Sequence, residues 1–203
     1  MTYSLLRFSH LVGMVLIGAG LIGVWISDLR SRKVSDLAVL GEAVRSIVVF
    51  YDGVVVPGAI LLLFSGIWMT WDVWGGWNFF QHPWLAGMII LFAVEFVEGN
   101  TVTRLYFMRL RRLTSEAIAQ GAITPELKRA RLEQVPTFTH FLDIPLLMVI
   151  VSLGAIRPTT WTQFFVGILC ALAIAAALTW WIPRLYPWTP PTQTQSGTDA
   201  SPR

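Results

Sequence analysis

Seven side chains able to bind protons, metal ions or a haem iron stand inside stretches of this sequence that are otherwise almost wholly apolar: His10, Asp52, Met88, Glu95, Glu98, His140 and Asp143. Glu95 and Glu98 are three residues apart, as are His140 and Asp143, and on a helix that spacing sets each pair on one face. Carboxylates and an imidazole drawn from three helices are the ligand types of a bundle-core Fe, Mn or Zn site, although the spacing is not the Glu-x-x-His of di-iron bundles. The same groups could form a proton or ion path, because an ionisable side chain at bilayer depth costs at least about 2.5–3.5 kcal/mol and normally faces a protein interior. A third reading gives them structural work alone. Asp52, Glu98 and Asp143 would then pair with Arg45, Arg104 or the carbonyls of Gly53 and Phe141, which Pro57 and Pro145 leave without a helical donor.

On helices rising ~1.5 Å per residue, these residues fall at two depths. His10 comes early in the first apolar span and Met88 early in the third, both within ~6–7 Å of the same boundary, so they can meet. An imidazole and a thioether are the axial set of a His/Met haem, though each also serves in ordinary helix packing. Asp52, Glu98, Asn100, His140 and Asp143 gather within ~5–10 Å of the opposite boundary, with Glu95 nearer the middle. His10 and His140 are thus near opposite faces, which excludes a single haem or metal held by both. Gly13, Gly18, Ala19, Gly20 and Gly23 give the first span a small-residue face that admits a second backbone or a flat cofactor. His82, before Pro83 and Trp84, reads as an interfacial anchor.

The elements that must position these groups are membrane helices. With 55% hydrophobic and 13% charged residues among 203, the chain has too little polar surface for a water-soluble domain, and its mean hydropathy of +0.61 agrees. The expected fold is all-α, a polytopic bundle of five transmembrane helices at about 5–26, 47–71, 84–106, 138–156 and 161–182, together one membrane domain over 1–183. The first span is retained rather than cleaved: no A-x-A site closes it, and it runs into Asp28, Arg30, Arg32 and Lys33. Arg30, Arg32, Lys33 and Arg45 lie between spans one and two, and six further cations from Arg109 to Arg131 lie in the 107–137 connection, whereas Asp72–Pro83 has none. The positive-inside rule then sets the N-terminus outside and the C-terminus inside. Gly121–Pro125 breaks the 107–137 connection into two short surface helices. The net charge of +3 is accounted for by topology and anionic lipid, and no nucleic-acid partner is expected. Cys170, the single cysteine, cannot form an internal disulfide and is expected to be packed; the 184–203 tail, rich in Pro, Thr, Gln and Ser, is expected to be disordered.

The stretches Arg7–Gly23 (RFSHLVGMVLIGAGLIG), Asp52–Gly66 (DGVVVPGAILLLFSG), Trp84–Leu91 and Phe141–Pro158 (FLDIPLLMVIVSLGAIRP) resemble the bacterial predicted integral membrane family catalogued as domain of unknown function 2269. In broader outline the chain is similar to HemJ-type protoporphyrinogen oxidases and CopD-like proteins, which share a His on the first helix and a Pro-containing start to the second. The resemblance implies a haem- or copper-linked membrane role, with His10 at the first-helix His. Where HemJ-type proteins carry an essential Lys and a later third-helix His, this chain has Met88 and Gly99. It therefore carries over bound haem rather than protoporphyrinogen oxidation.

The leading expectation is a multi-pass protein of the bacterial inner membrane. It would be a haem-b or metal-associated redox or accessory protein, with haem at His10 and Met88 and a divalent metal at Asp52, Glu95, Glu98, His140 and Asp143. The lipid bilayer and a membrane redox partner are its expected partners. A small transporter or proton-coupled conduit using the intramembrane carboxylates, and a structural subunit of a membrane complex, are the alternatives.

Overall fold

A computed structural model describes residues 2–189, and among them every regular element is helical. Helix α1 spans Thr2–Arg32, α2 Leu37–Phe50, α3 Val56–Trp74, α4 Pro83–Glu98, α5 Arg104–Gln120, α6 Pro125–Arg131, α7 Gln134–Ile156 and α8 Thr162–Leu185. Two π-helical turns, Tyr51–Val55 and Gly99–Thr103, join α2 to α3 and α4 to α5 without interrupting the rod. Five continuous helices result that are long and apolar enough to cross a membrane.

Two of these rods are 38 residues long. At ~1.5 Å per residue each measures ~57 Å, nearly twice the ~30 Å of hydrocarbon, so part of each stands beyond it. The excess is not loop. Asp36 caps α2 by accepting from the Ala38 and Val39 amides, and Leu40, Val44, Ile47 and Val48 follow at helical spacing as a buried stripe. They meet Leu110, Leu113 and Ala117 of α5 and Leu127 and Ala130 of α6, extending the membrane core into a small helical cap. The expected break at Gly121 is present, with the left-handed φ of +66° that ends α5, and Thr124 caps α6. The first half of the 107–137 connection is, however, a continuation of the third span rather than a separate surface helix.

Within the bundle, α1 packs along α3, α4 along α7, and α7 along α8. The contact of α1 with α3 is backbone to backbone. A Cβ on Gly13 would lie 2.9 Å from the Gly58 carbonyl oxygen, and one on Gly58 3.0 Å from that of Gly13. The small-residue face of α1 thus receives a helix, not a cofactor. Half of the apolar window of α7 is buried, but only 11% of that of α8 is. Cys170 lies exposed on α8, because the helix holds its neighbours by one narrow edge.

Helix α8 ends at Leu185, and the chain then crosses the end of the bundle. The Lys33 ammonium lies 4.3 Å from the Tyr186 ring centre, and the Thr189 amide donates to the Arg32 carbonyl at 3.3 Å. Of the 184–203 tail expected to be disordered, residues 190–203 lie outside those described.

Candidate functional site

The two π-helical turns face each other. A π-turn leaves helical carbonyls without their usual donors, and such turns recur at functional sites. Pro57, with no amide hydrogen and a ring that crowds the carbonyl four residues back, explains why the first turn widens just before it. The second occurs in Gly-Asn-Thr-Val-Thr, where side chains add donors to the carbonyls of the preceding turn. Asn100 Nδ2 donates to Phe96 O at 2.8 Å, and Thr101 Oγ1 to Val97 O at 2.7 Å. The Tyr51 hydroxyl, from the opposite turn, donates to Gly99 O at 2.8 Å and ties the two turns together.

Beside this bridge is a cavity of about 40 Å³ lined by Tyr51, Glu95, Asn100 and Asp143 among apolar residues that include Phe92 and Leu147. A space of that size holds a water molecule. Glu95 and Asp143 reach it at the same level: ~18 Å along α4 from Pro83 and ~20 Å along α7 from Ile156, two helix ends held together by Arg157, which lies 5.2 Å from the Trp84 ring centre. Glu95 Oε2 and Asp143 Oδ2 are both buried and have no hydrogen-bond partner. Glu98 lies one helical turn beyond Glu95 on α4, just outside the cavity lining. Its Oε1 accepts from Thr103 Oγ1 at 2.9 Å, and Thr103 Oγ1 lies 3.1 Å from Thr139 Oγ1. A chain of hydroxyls therefore leads from the acidic group toward the start of α7.

The remaining expected ligands lie elsewhere. Asp52 pairs with Arg104, its oxygen 2.7 Å from the guanidinium Nε on the bundle perimeter, as the structural reading of that residue requires. Arg45 pairs with Glu42 instead. His140 is buried with both ring nitrogens unpartnered, in an aromatic enclosure formed by Trp25, Phe107 and Phe141 at 5.2–6.2 Å between ring centres. Among the described residues no three His, Cys, Asp or Glu side chains are grouped as a metal ion would require. Glu95 and Asp143 are brought to one cavity, with Glu98 one helical turn beyond it, while Asp52 and His140 stand apart from them.

His10 faces α3, its Nδ1 3.1 Å from Ser65 Oγ and its ring against Gly66. Met88 faces α7, its sulfur against Gly154. Each turns to a different neighbour, so the pair does not fit the two axial positions of one haem.

A second buried polar group was not legible as a site in the sequence. Asp28 accepts from Arg32 Nε at 2.9 Å and from Arg131 Nη1 at 3.2 Å, and Arg131 also donates to Ser31 at 2.8 Å. Burial pulls the Arg131 guanidinium below the ordinary arginine value, and the Asp28 carboxylate opposes that shift. The i, i+4 spacing of Asp28 and Arg32 was visible, but it reads as a charged stop after a membrane span. The partner from α6, a hundred residues away, has no local signal. Tyr51 and Thr103 were likewise missed, since a hydroxyl among apolar residues is common at helix crossings, whereas Asn100 was placed with the inner group by its depth.

The family model described as predicted integral membrane protein (DUF2269) matches residues 4–158, from the first turns of α1 to just past α7, leaving α8 outside the match. No curated protein and no solved structure matches the chain.

Proposed function

For a chain that belongs to the DUF2269 family of predicted integral membrane proteins, we propose a proton-handling role: Glu95 and Asp143 take up and release protons in the cavity between the two π-turns, with Glu98, one turn beyond, as the next acid in line. The observation that carries this reading is the pair of buried, unpartnered oxygens, Glu95 Oε2 and Asp143 Oδ2, lining one cavity. Neighbouring carboxyl groups that share a cavity and have no cation partner exchange protons as a coupled set. The hydrogen-bonded series Glu98, Thr103, Thr139 supplies the exchange route. With the Arg- and Lys-rich ends on the cytoplasmic side of a bacterial inner membrane, that route opens to the cytoplasm.

The test is proton entry into vesicles containing the purified full chain and a trapped pH dye, driven by an imposed potential. Wild type should conduct protons, whereas Glu95→Gln and Asp143→Asn should accumulate normally and conduct few or none, since amides keep the shape and are cheaper in the membrane. Wild-type vesicles no leakier than empty ones, or variants as active as wild type, would sink the reading.

A further inference from the structure

The end of the bundle carries a second concavity, unrelated to the acidic cavity. It is an open groove of about 460 Å³ between the last turns of α1 and the first of α2, with Tyr186 at one edge. Its walls are two helical stripes at i, i+3, i+4, i+7 spacing: residues 26, 29, 30 and 33 on α1, and 39, 42, 43 and 46 on α2. Ile26 and Val39 are exposed apolar residues on these walls. Arg30 and Lys33 line the groove with no carboxylate partner among the described residues, whereas Glu42 is drawn to Arg45.

The groove lies where hydrocarbon gives way to headgroups. The apolar run of α1 ends at Ile26 and that of the second rod begins at Ile47, while exposed Trp180 and Trp181 and the cation Arg184 mark the same level on α8. Free cations above an apolar wall match a molecule with an anionic head and fatty tails.

We infer that this groove binds one anionic phospholipid, its phosphate between Arg30 and Lys33 and an acyl chain descending along Ile26 and Leu29. The occupant is a bilayer lipid rather than soluble phosphate, because Ile26, Leu29 and Ala43 make most of the wall beside and below the cations apolar, Ser27 and Ser46 being its small polar members. Lys33 is steered by its contact with the Tyr186 ring, so the crossing segment after α8 forms part of the headgroup site.

Native mass spectrometry of the detergent-purified full chain, titrated with dioleoyl phosphatidylglycerol or dioleoyl phosphatidylcholine, tests this. Wild type should retain phosphatidylglycerol in preference, unaffected by inorganic phosphate. Arg30→Gln with Lys33→Gln should lower retention on the order of thirtyfold, the strength of two cations acting on an anionic surface. Arg111→Gln with Arg112→Gln removes equal charge from exposed α5 positions and should leave retention unchanged. Ala43→Trp keeps both cations but fills the groove, and should also abolish retention. Equal binding of the two lipids, equal loss in both charge variants, or full retention by Ala43→Trp would each overturn the inference.

Discussion

Replacing Asp28 by Asn should be among the most damaging single changes in this chain. Its carboxylate is 4% exposed and faces Arg32 and Arg131, themselves 9% and 2% exposed. The amide keeps the volume but leaves two buried guanidiniums against each other with no counter-charge. Breaking a buried ion pair by removing one partner costs about 3–5 kcal/mol, and a typical domain has only about 5–15 kcal/mol in total. Asp28→Asn should therefore lower both membrane accumulation and the midpoint of thermal unfolding in detergent, followed by tryptophan fluorescence. Adding Arg131→Met removes one stranded cation, so the double variant should be more stable than the Asp28→Asn single, with a coupling of about 1–3 kcal/mol. If Asp28→Asn loses less than about 1 kcal/mol, or if the two losses add within about 0.5 kcal/mol, the network does not hold the cap to the bundle.

Gly58→Leu should force α1 and α3 apart at their backbone contact and cost about 1–3 kcal/mol, as overpacking does; an unchanged unfolding midpoint would count against the 2.9–3.0 Å approach of Gly13 and Gly58. Thr103→Val, nearly equal in shape, should slow proton entry into vesicles while accumulation stays near wild type, and undiminished entry would remove Thr103 from the route. A reporter fused to the C-terminus should be active in the cytoplasm; a periplasmic signal would reverse the assignment of sides.

The number and approximate extent of the membrane spans were legible because an unbroken apolar run of this length has few other uses. The cap was less so. Leu40, Val44 and Ile47 repeat with helical period, but beside so many lipid-facing residues their burial against α5 and α6 carries no distinguishing mark. At the acidic site, the depth of Glu95 and Asp143 was legible, and the two meet at one cavity because α4 and α7 are level, while Glu98, three residues on, falls just outside it. Asp52 failed to join because Arg104, immediately after the second π-turn, lies within reach of the first. Hydrophobic periodicity does not record a π-turn, which rotates everything beyond it by one residue. His140 shares a face with Asp143 by spacing, yet one helical turn is enough to carry it out of the cavity and among aromatic rings.

The segment that returns from α8 to α1 closes the chain into a loop fastened at both ends of its last helix. One fastening is the seam with α7 and α4, where Phe164 packs beside Leu153 of α7 and Gly87 of α4; the other is the Thr189 amide on the Arg32 carbonyl. A protease cut in the exposed 159–161 turn would sever the covalent link to α7 without freeing α8. The two fragments should co-purify as a nicked but assembled protein, and the same turn is where a foreign sequence could be spliced in with least disturbance to the seven helices before it.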